Sequence, residues 1–323
     1  MIISKTPYRL PISGGGTDID FYYKKSNGNL ISVSIDQYVY VLLMPRLIDN
    51  NYLIQTTSTQ FEQTLEKIEH DLIRETLKFY NIKEKLHIGT YSTIPTRTGL
   101  GTSSALVVGL INCIKKYKNL NLSDKKIVED AYKIERKICK IHGGWQDQIV
   151  SQYGGALNIS ISKKEKIKIR KIPLTSKFEK IIKNNFLLIY TNIKRDSSKV
   201  ILSQKKRQSD IISYYDQIKL LNNPILKSLK MGNIKKIGYY FNKHWQIKKS
   251  LSNKISDKKI NNFFNYLCSN FNIYGGKLIG AGGGGFFLVC TGNKKKLIKN
   301  LNKKNIRYVN FNFEKSGSKI LEY

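Results

Sequence analysis

Only four cysteines occur in this chain of 323 residues: Cys113, Cys139, Cys268 and Cys290. They lie far apart with no Cys-x-x-Cys pair, which excludes a disulfide-built fold and suits reduced thiols in a cytoplasmic protein. The four histidines show no metal-ligand spacing, so no zinc site is expected. No apolar run approaches the roughly 20 residues of a membrane span, and Met1 to Pro7 contain no apolar stretch of a secretory signal. Acidic residues are few, 23 against 56 basic ones, which leaves a formal charge of +33. Such a charge invites a nucleic-acid partner. Arginine supplies only nine of the basic positions, and its planar fork is the better tool for clamping phosphates and reading bases. The rest are lysines spread along the whole chain. They read as a solvated surface that steers anionic substrates inward, with no specific nucleic-acid partner and no membrane expected.

What is present is an ordinary globular mixture, 41% hydrophobic and 24% charged. A chain of this length can bury about 75% of its unfolded surface, enough for two packed units. The first 45 residues read as strand, with partial alternation from Ile31 to Leu43. Phe61, Leu65, Ile68, Leu72 and Leu77 predict an amphipathic helix over 60–80. A strand over 86–91 runs through a glycine-containing loop into an apolar helix from Ala105. Ser123 is the expected cap of a helix over 124–141. The charged stretch Ser160–Lys171 marks the expected division, into 1–168 and 169–323. Beyond it lie a strand at Phe186–Tyr190, helices over 197–222, 234–252 and 257–272, a glycine-rich strand pair, and a basic helix followed by a strand near 307–313. The fold class is α+β in two parts.

The strongest local pattern is Pro95 to Ala105, which contains Gly99-Leu100-Gly101-Thr102-Ser103-Ser104. A glycine loop that follows a strand and opens a helix presents orphan backbone donors to an anion. No Lys follows the last glycine, so it is not a Walker A loop. Gly280 to Gly285 matches G-x-G-x-x-G in letters, but an apolar strand follows where a dinucleotide fingerprint needs a helix. The run is expected instead to bend where another backbone approaches closely. Asp147, in Gly143-Gly144-Trp145-Gln146-Asp147-Gln148, is either a solvated loop carboxylate or a general base. Glu135 falls at helical spacing among Val128 and Ala131, so it needs a buried partner, a lysine or a metal. Arg9, in an apolar strand ahead of Gly14-Gly15-Gly16-Thr17-Asp18, faces an anion or ends the strand in an ion pair.

Taken in order, Thr6–Asp18, Pro95–Ala105 and Lys277–Phe286 resemble the three signature regions of the GHMP kinase superfamily, named for galactokinase, homoserine kinase, mevalonate kinase and phosphomevalonate kinase. Thr102 replaces the usual first serine. The Gly-Gly-Gly-Thr-Asp and Gly-Trp-Gln-Asp-Gln forms are most similar to bacterial heptose 7-phosphate kinases, with fucokinase-like sugar kinases next. The resemblance implies an S5-like N-terminal domain and a ferredoxin-like C-terminal domain, with the site between them. It implies phosphoryl transfer from ATP with Mg²⁺ to the C1 hydroxyl of a heptose 7-phosphate, so the partners are ATP and a sugar phosphate. Asp147 would be catalytic with Arg9 beside it. Gly99, Leu100, Gly101, Thr102, Ser103 and Ser104 would hold the ATP phosphates, and Ser103 and Glu135 would hold Mg²⁺. Thr17, Asp18 and Gln148 would bind the acceptor, with Arg195 at its remote phosphate. The rivals are a kinase of an unphosphorylated sugar and, since ribosomal proteins share the S5-like fold, a basic RNA-binding protein.

Overall fold

The structure, a computed structural model, describes residues 1–321 apart from 97, 174, 195 and 208. The N-terminal strand pattern forms β1 (Ile2–Ser13) and the long β2 (Gly28–Pro45), antiparallel partners joined through α1 (Asp20–Ser26). Their register shifts between Pro7 and Tyr8, where Pro7 has no N–H to give the ladder. Next come β3 (Tyr52–Gln55), β4 (Thr59–Glu62), α2 (Asp71–Phe79) and β5 (Leu86–Ser92). The helix expected over 60–80 is therefore only its second half. The segment around Phe61 pairs with β3, and Phe61 is exposed, so its place in the apolar pattern carried no burial. His70 begins the helix by accepting a hydrogen bond from the Ile73 N–H.

The loop leads into α3 (Thr102–Tyr117), which packs on β1 and β2. The Ser123 cap accepts from the Lys126 N–H at 3.2 Å and opens α4 (Asp124–Tyr132). That helix does not run on as α. Lys133–Ile138 form a π-helical turn, with the Cys139 N–H donating to the Ile134 carbonyl five residues back. Then follow α5 (Gln146–Tyr153), β6 (Ala156–Ile161) and β7 (Ile167–Lys171). β2 pairs with β5 through Val39–Pro45 and with β6 through Gly28–Val33. The charged stretch expected as the division is thus the β6–β7 hairpin, and a cut at 168/169 passes through β7. Its charges reflect a strand face turned to solvent.

The second half holds α6 (Ser176–Asn185), β8 (Phe186–Tyr190), α7 (Ser197–Lys205), α8 (Ile212–Leu220), α9 (Asn222–Met231), α10 (Ile234–Ser250), α11 (Lys258–Asn270), β9 (Ile273–Leu278), β10 (Phe286–Thr291), α12 (Lys294–Lys303), β11 (Tyr308–Val309) and β12 (Lys319–Leu321). Among them β11, β8, β10 and β9 make an antiparallel sheet in that order, backed by α10 against β9 and β10. β12 returns to pair with β1, so the first sheet closes on the C-terminal tail. The architecture is α+β with two sheets. One buried cluster contains Leu10 and Ile12 of β1 together with Phe186, Leu188, Phe286 and Leu288 of the second sheet, so the halves share a core.

Candidate active site

Gly101 ends the loop in the left-handed region (φ 77°) and sits at the N-cap of α3. A Cβ there would stand 3.2 Å from Asp147 Cγ and 3.3 Å from Arg9 Cγ, so with its positive φ the position favours glycine, and the loop lies close to both. Arg9 leaves β1 nearly buried. Its Nε donates to Asp147 Oδ1 at 2.6 Å and its Nη1 to the Gly99 carbonyl at 2.5 Å. The arginine therefore ties the carboxylate of α5 to the loop.

Glu135 is fully buried on the π turn. Its Oε1 accepts from Ser103 Oγ at 2.6 Å, and its Oε2 accepts from Ser104 Oγ and from Gln148 Nε2 at 2.7 Å. The cation beside it is Arg136, with Nη1 3.0 Å from Oε1, and not the lysine considered from sequence. A turn of five residues brings both neighbours, Glu135 and Arg136, to the head of α3.

Asp18 is also fully buried. Gln146 donates to it from backbone and side chain at 3.0 and 3.2 Å, and the Gly16 N–H donates at 3.2 Å. Burial raises its pKa above the ordinary aspartate value and the Asp147 charge raises it further, against the hydrogen bonds and the Arg9 charge. Gly144 makes room for it, since a Cβ there would lie 2.0 Å from Asp18 Oδ2.

The glycine run of the third region does what its sequence suggests. It bends before β10, and Gly285 (φ 90°) passes so close to the loop that a Cβ would meet the Thr98 carbonyl oxygen at 2.1 Å. Lys277, at the head of that region, donates to the Ile12 carbonyl at 2.8 Å, and burial pushes its pKa down to about 7. The three sequence regions thus converge through contacts to backbone carbonyls, those of Ile12, Thr98 and Gly99.

A cavity of about 490 Å³ opens between the halves, and Arg9, Asp18, Gly99, Gly101, Thr102, Ser103 and Asp147 all line it. Five described candidates do not. Leu100 is core, Ser104 and Glu135 lie behind Ser103, and Gln148 turns away to Glu135 and Ser104. The reason for Gln148 is helical geometry, because Asp147 and Gln148 are successive on α5 and face different ways. Thr17 is likewise structural, with its hydroxyl donating to the Gly14 and Asn29 carbonyls at 2.8 and 2.9 Å. Arg195 lies outside the described residues. Its neighbour Asp196 caps α7 by accepting from the Ser198 and Lys199 N–H groups, so the head of that helix already carries a carboxylate.

Sequence reading missed Arg136, Gln204, Tyr215 and Lys248, all of which line the cavity. Tyr215 donates to Gln204 at 2.7 Å, and Lys248 donates to the Leu278 and Gly280 carbonyls. The first three are far from any glycine motif in sequence or off the α-helical period, so no local pattern marked them.

Residues 64–155 match the model of the GHMP kinases N terminal domain. The chain is 29% identical to the D-glycero-alpha-D-manno-heptose 7-phosphate kinase of Campylobacter jejuni, over 98% of both chains. It is 30% identical to the mevalonate kinase of Methanocaldococcus jannaschii, over 74% of this chain and 73% of that one. In fold it is similar to a crystal structure described as a D-glycero-D-manno-heptose 1-phosphate kinase from Bacteriodes thetaiotaomicron, with a TM-score of 0.82, 21% identity, and coverage of 100% and 99%. A glycine loop heading a helix, an arginine-held aspartate beside it and this likeness lead to one conclusion: the chain belongs to the GHMP kinase family.

Proposed function

We propose that this GHMP kinase transfers the γ-phosphoryl group of ATP to the anomeric C1 hydroxyl of D-glycero-D-manno-heptose 7-phosphate, giving the 1,7-bisphosphate. By its family and relatives the chain is an ATP-dependent sugar kinase. The acceptor and the residue roles are the proposal. The observation that carries it is the Arg9–Asp147 pair at 2.6 Å, packed against Gly101 at the head of α3. A hydroxyl nucleophile needs a carboxylate in reach of its proton and phosphate donors close by, and Gly101 lets both requirements be met at one point. The choice of heptose 7-phosphate rests on the C. jejuni relative, matched end to end.

In this reading Asp147 takes the C1 hydroxyl proton on Oδ2 as the sugar oxygen bonds to the γ-phosphorus. The bond from that phosphorus to the β–γ bridging oxygen breaks, and ADP leaves. Arg9 holds Oδ1 and so orients the base. Backbone N–H groups at the head of α3 hold the β- and γ-phosphates, and the Thr102 and Ser103 hydroxyls add to them. Ser103 Oγ and Glu135 Oε1, 2.6 Å apart, would hold Mg²⁺, whose charge offsets that of the nucleotide phosphates. Two hard oxygens suit an ion that takes few protein ligands and completes its shell with phosphate and water. Asp18 would hydrogen-bond sugar hydroxyls, and ATP as co-substrate puts the reaction in the cytoplasm.

The test is a panel of sugars and sugar phosphates assayed with Mg·ATP, in which heptose 7-phosphate should give the highest kcat/KM. A protein that prefers the free heptose or fucose overturns the acceptor. Arg195→Ala should cost about 1.5–3 kcal/mol in kcat/KM for heptose 7-phosphate, the worth of a charge-assisted hydrogen bond, and little for free heptose. Equal losses for both sugars would put the remote phosphate elsewhere. Gly285→Ala should weaken ATP binding at least tenfold, because about 1–3 kcal/mol of backbone strain and the displaced Thr98 carbonyl fall on the loop. Equilibrium titration with a fluorescent ATP analogue measures it, and an unchanged affinity would show that the loop stands without the third region.

A further inference from the structure

We propose that Arg136 is a catalytic residue whose guanidinium meets the phosphoryl group as it passes from ATP to the acceptor. Its side chain is only 7% exposed, yet it lines the cavity. Nη1 lies 3.0 Å from Glu135 Oε1, and Nη2 lies 3.4 Å from Ser104 Oγ and 3.9 Å from Asp147 Oδ2. The guanidinium therefore stands between the first turn of α3 and the Oδ2 edge of the carboxylate that Arg9 holds by Oδ1. A phosphoryl group moving from donors on α3 to an oxygen beside Asp147 must cross that gap.

The surrounding chain is shaped for this side chain. A Cβ on Gly143 would fall 2.4 Å from Arg136 Cζ, so the glycine pair before α5 gives the guanidinium its passage. Its remaining contacts, to the Ile141 and Gly144 carbonyls, are long at 3.4 Å. Glu135 is therefore its one close partner among the contacts described. Arg9 already donates to Asp147 and Gly99 at short range, whereas Arg136, of the two described arginines that line the cavity, reaches toward Asp147 Oδ2. The transferring group spreads negative charge over three equatorial oxygens, and a planar fork of donors matches that geometry better than an ammonium does. The π turn that presents Glu135 and Arg136 together is a rare geometry found mostly at functional sites.

The competing role is a counter-ion for buried Glu135 and nothing more. Arg136→Lys keeps that charge, so the counter-ion role leaves it close to wild type. The inference rests on the phosphoryl-transfer reading above and is tested by binding. Affinities are measured for a non-hydrolysable ATP analogue and for ADP with aluminium fluoride, each with Mg²⁺ and the acceptor. Wild type should bind the fluoride complex far more tightly. Arg136→Lys and Arg136→Met should lose about 10²-fold or more of that tightening, below the 10³–10⁵ of a complete arginine finger, while the ATP analogue changes less than about threefold. Equal losses for both probes, or none in Arg136→Lys, would overturn the proposal, and the lysine variant decides it even where methionine fails to fold. A wild type that shows no tightening with heptose 7-phosphate counts against that acceptor instead, and the comparison is then made with the sugar the panel identifies.

Discussion

Asp147→Asn is expected to lower kcat by about 10²–10⁴, the range for losing a general base, and to change ATP affinity by less than about threefold. Asparagine has the same shape and keeps an oxygen for Arg9 Nε, now 2.6 Å from Oδ1, so the loop and its contact with Gly99 should stay in place. What is lost is an acceptor for the sugar proton. A hundredfold fall corresponds to about 2.7 kcal/mol of barrier, more than a displaced hydrogen bond inside an intact site would cost. Steady-state rates with saturating sugar and ATP measure the first quantity, and equilibrium titration with an ATP analogue measures the second. A variant that keeps a tenth or more of wild-type kcat removes Asp147 from the proton transfer. A parallel fall in ATP affinity would assign it to holding the loop.

Glu135 carries the other large effect, and it separates two roles by two substitutions. Glu135→Ala takes from Arg136 the carboxylate 3.0 Å away and leaves Ser103, Ser104 and Gln148 without their shared acceptor. Breaking a buried pair in this way should cost about 3–5 kcal/mol of stability, read from denaturant unfolding. Glu135→Gln keeps an oxygen for the hydroxyls, so its stability loss should be about 1–3 kcal/mol. Its Mg²⁺ concentration for half-maximal rate should nevertheless rise about 10- to 100-fold, because a neutral amide is a poor substitute for a carboxylate ligand. Unchanged Mg²⁺ dependence in Glu135→Gln would leave Glu135 as the partner of Arg136 alone.

Among the described residues the arginines and lysine that line the cavity are Arg9, Arg136 and Lys248, and each is held by carboxylates or carbonyls within the protein. Every other described lysine is outside the cavity lining.

Local chemistry in the sequence determined a good deal. A strand, two glycines and an apolar run predicted the loop and α3, because a helix after a glycine turn is written in neighbouring residues. Ser123 predicted its own cap, and the β10 strand after Gly280–Gly285 ruled out a dinucleotide fingerprint. The burial of Glu135 followed from its place among Val128 and Ala131. The family resemblance named Arg9 and Asp147 together, although 138 positions separate them.

Tertiary structure decided the rest, and the reason is consistent from case to case. Whether residues 133–138 close as an α or a π turn depends on where Ser103, Ser104 and Gln148 wait for the Glu135 carboxylate, which no periodicity within the helix records. That one extra residue puts Arg136 in the cavity. Thr17 and Gln148 are polar and lie in the right motifs, but the packing of Gly14 and Asn29 on one side and of α3 on the other turns their side chains inward. The 60–80 segment had helical spacing, yet the open edge of β3 offered Thr59–Glu62 a ladder that a short helix could not match. The charged hairpin at 156–171 belongs to the first sheet for the same reason: hydrogen bonding to β2, far away in sequence, outweighs local composition. Sequence specifies residues whose partners are near in the chain, and a site assembled from residues 9, 103, 135, 136 and 147 exists only once β1, α3, the π turn and α5 are packed together.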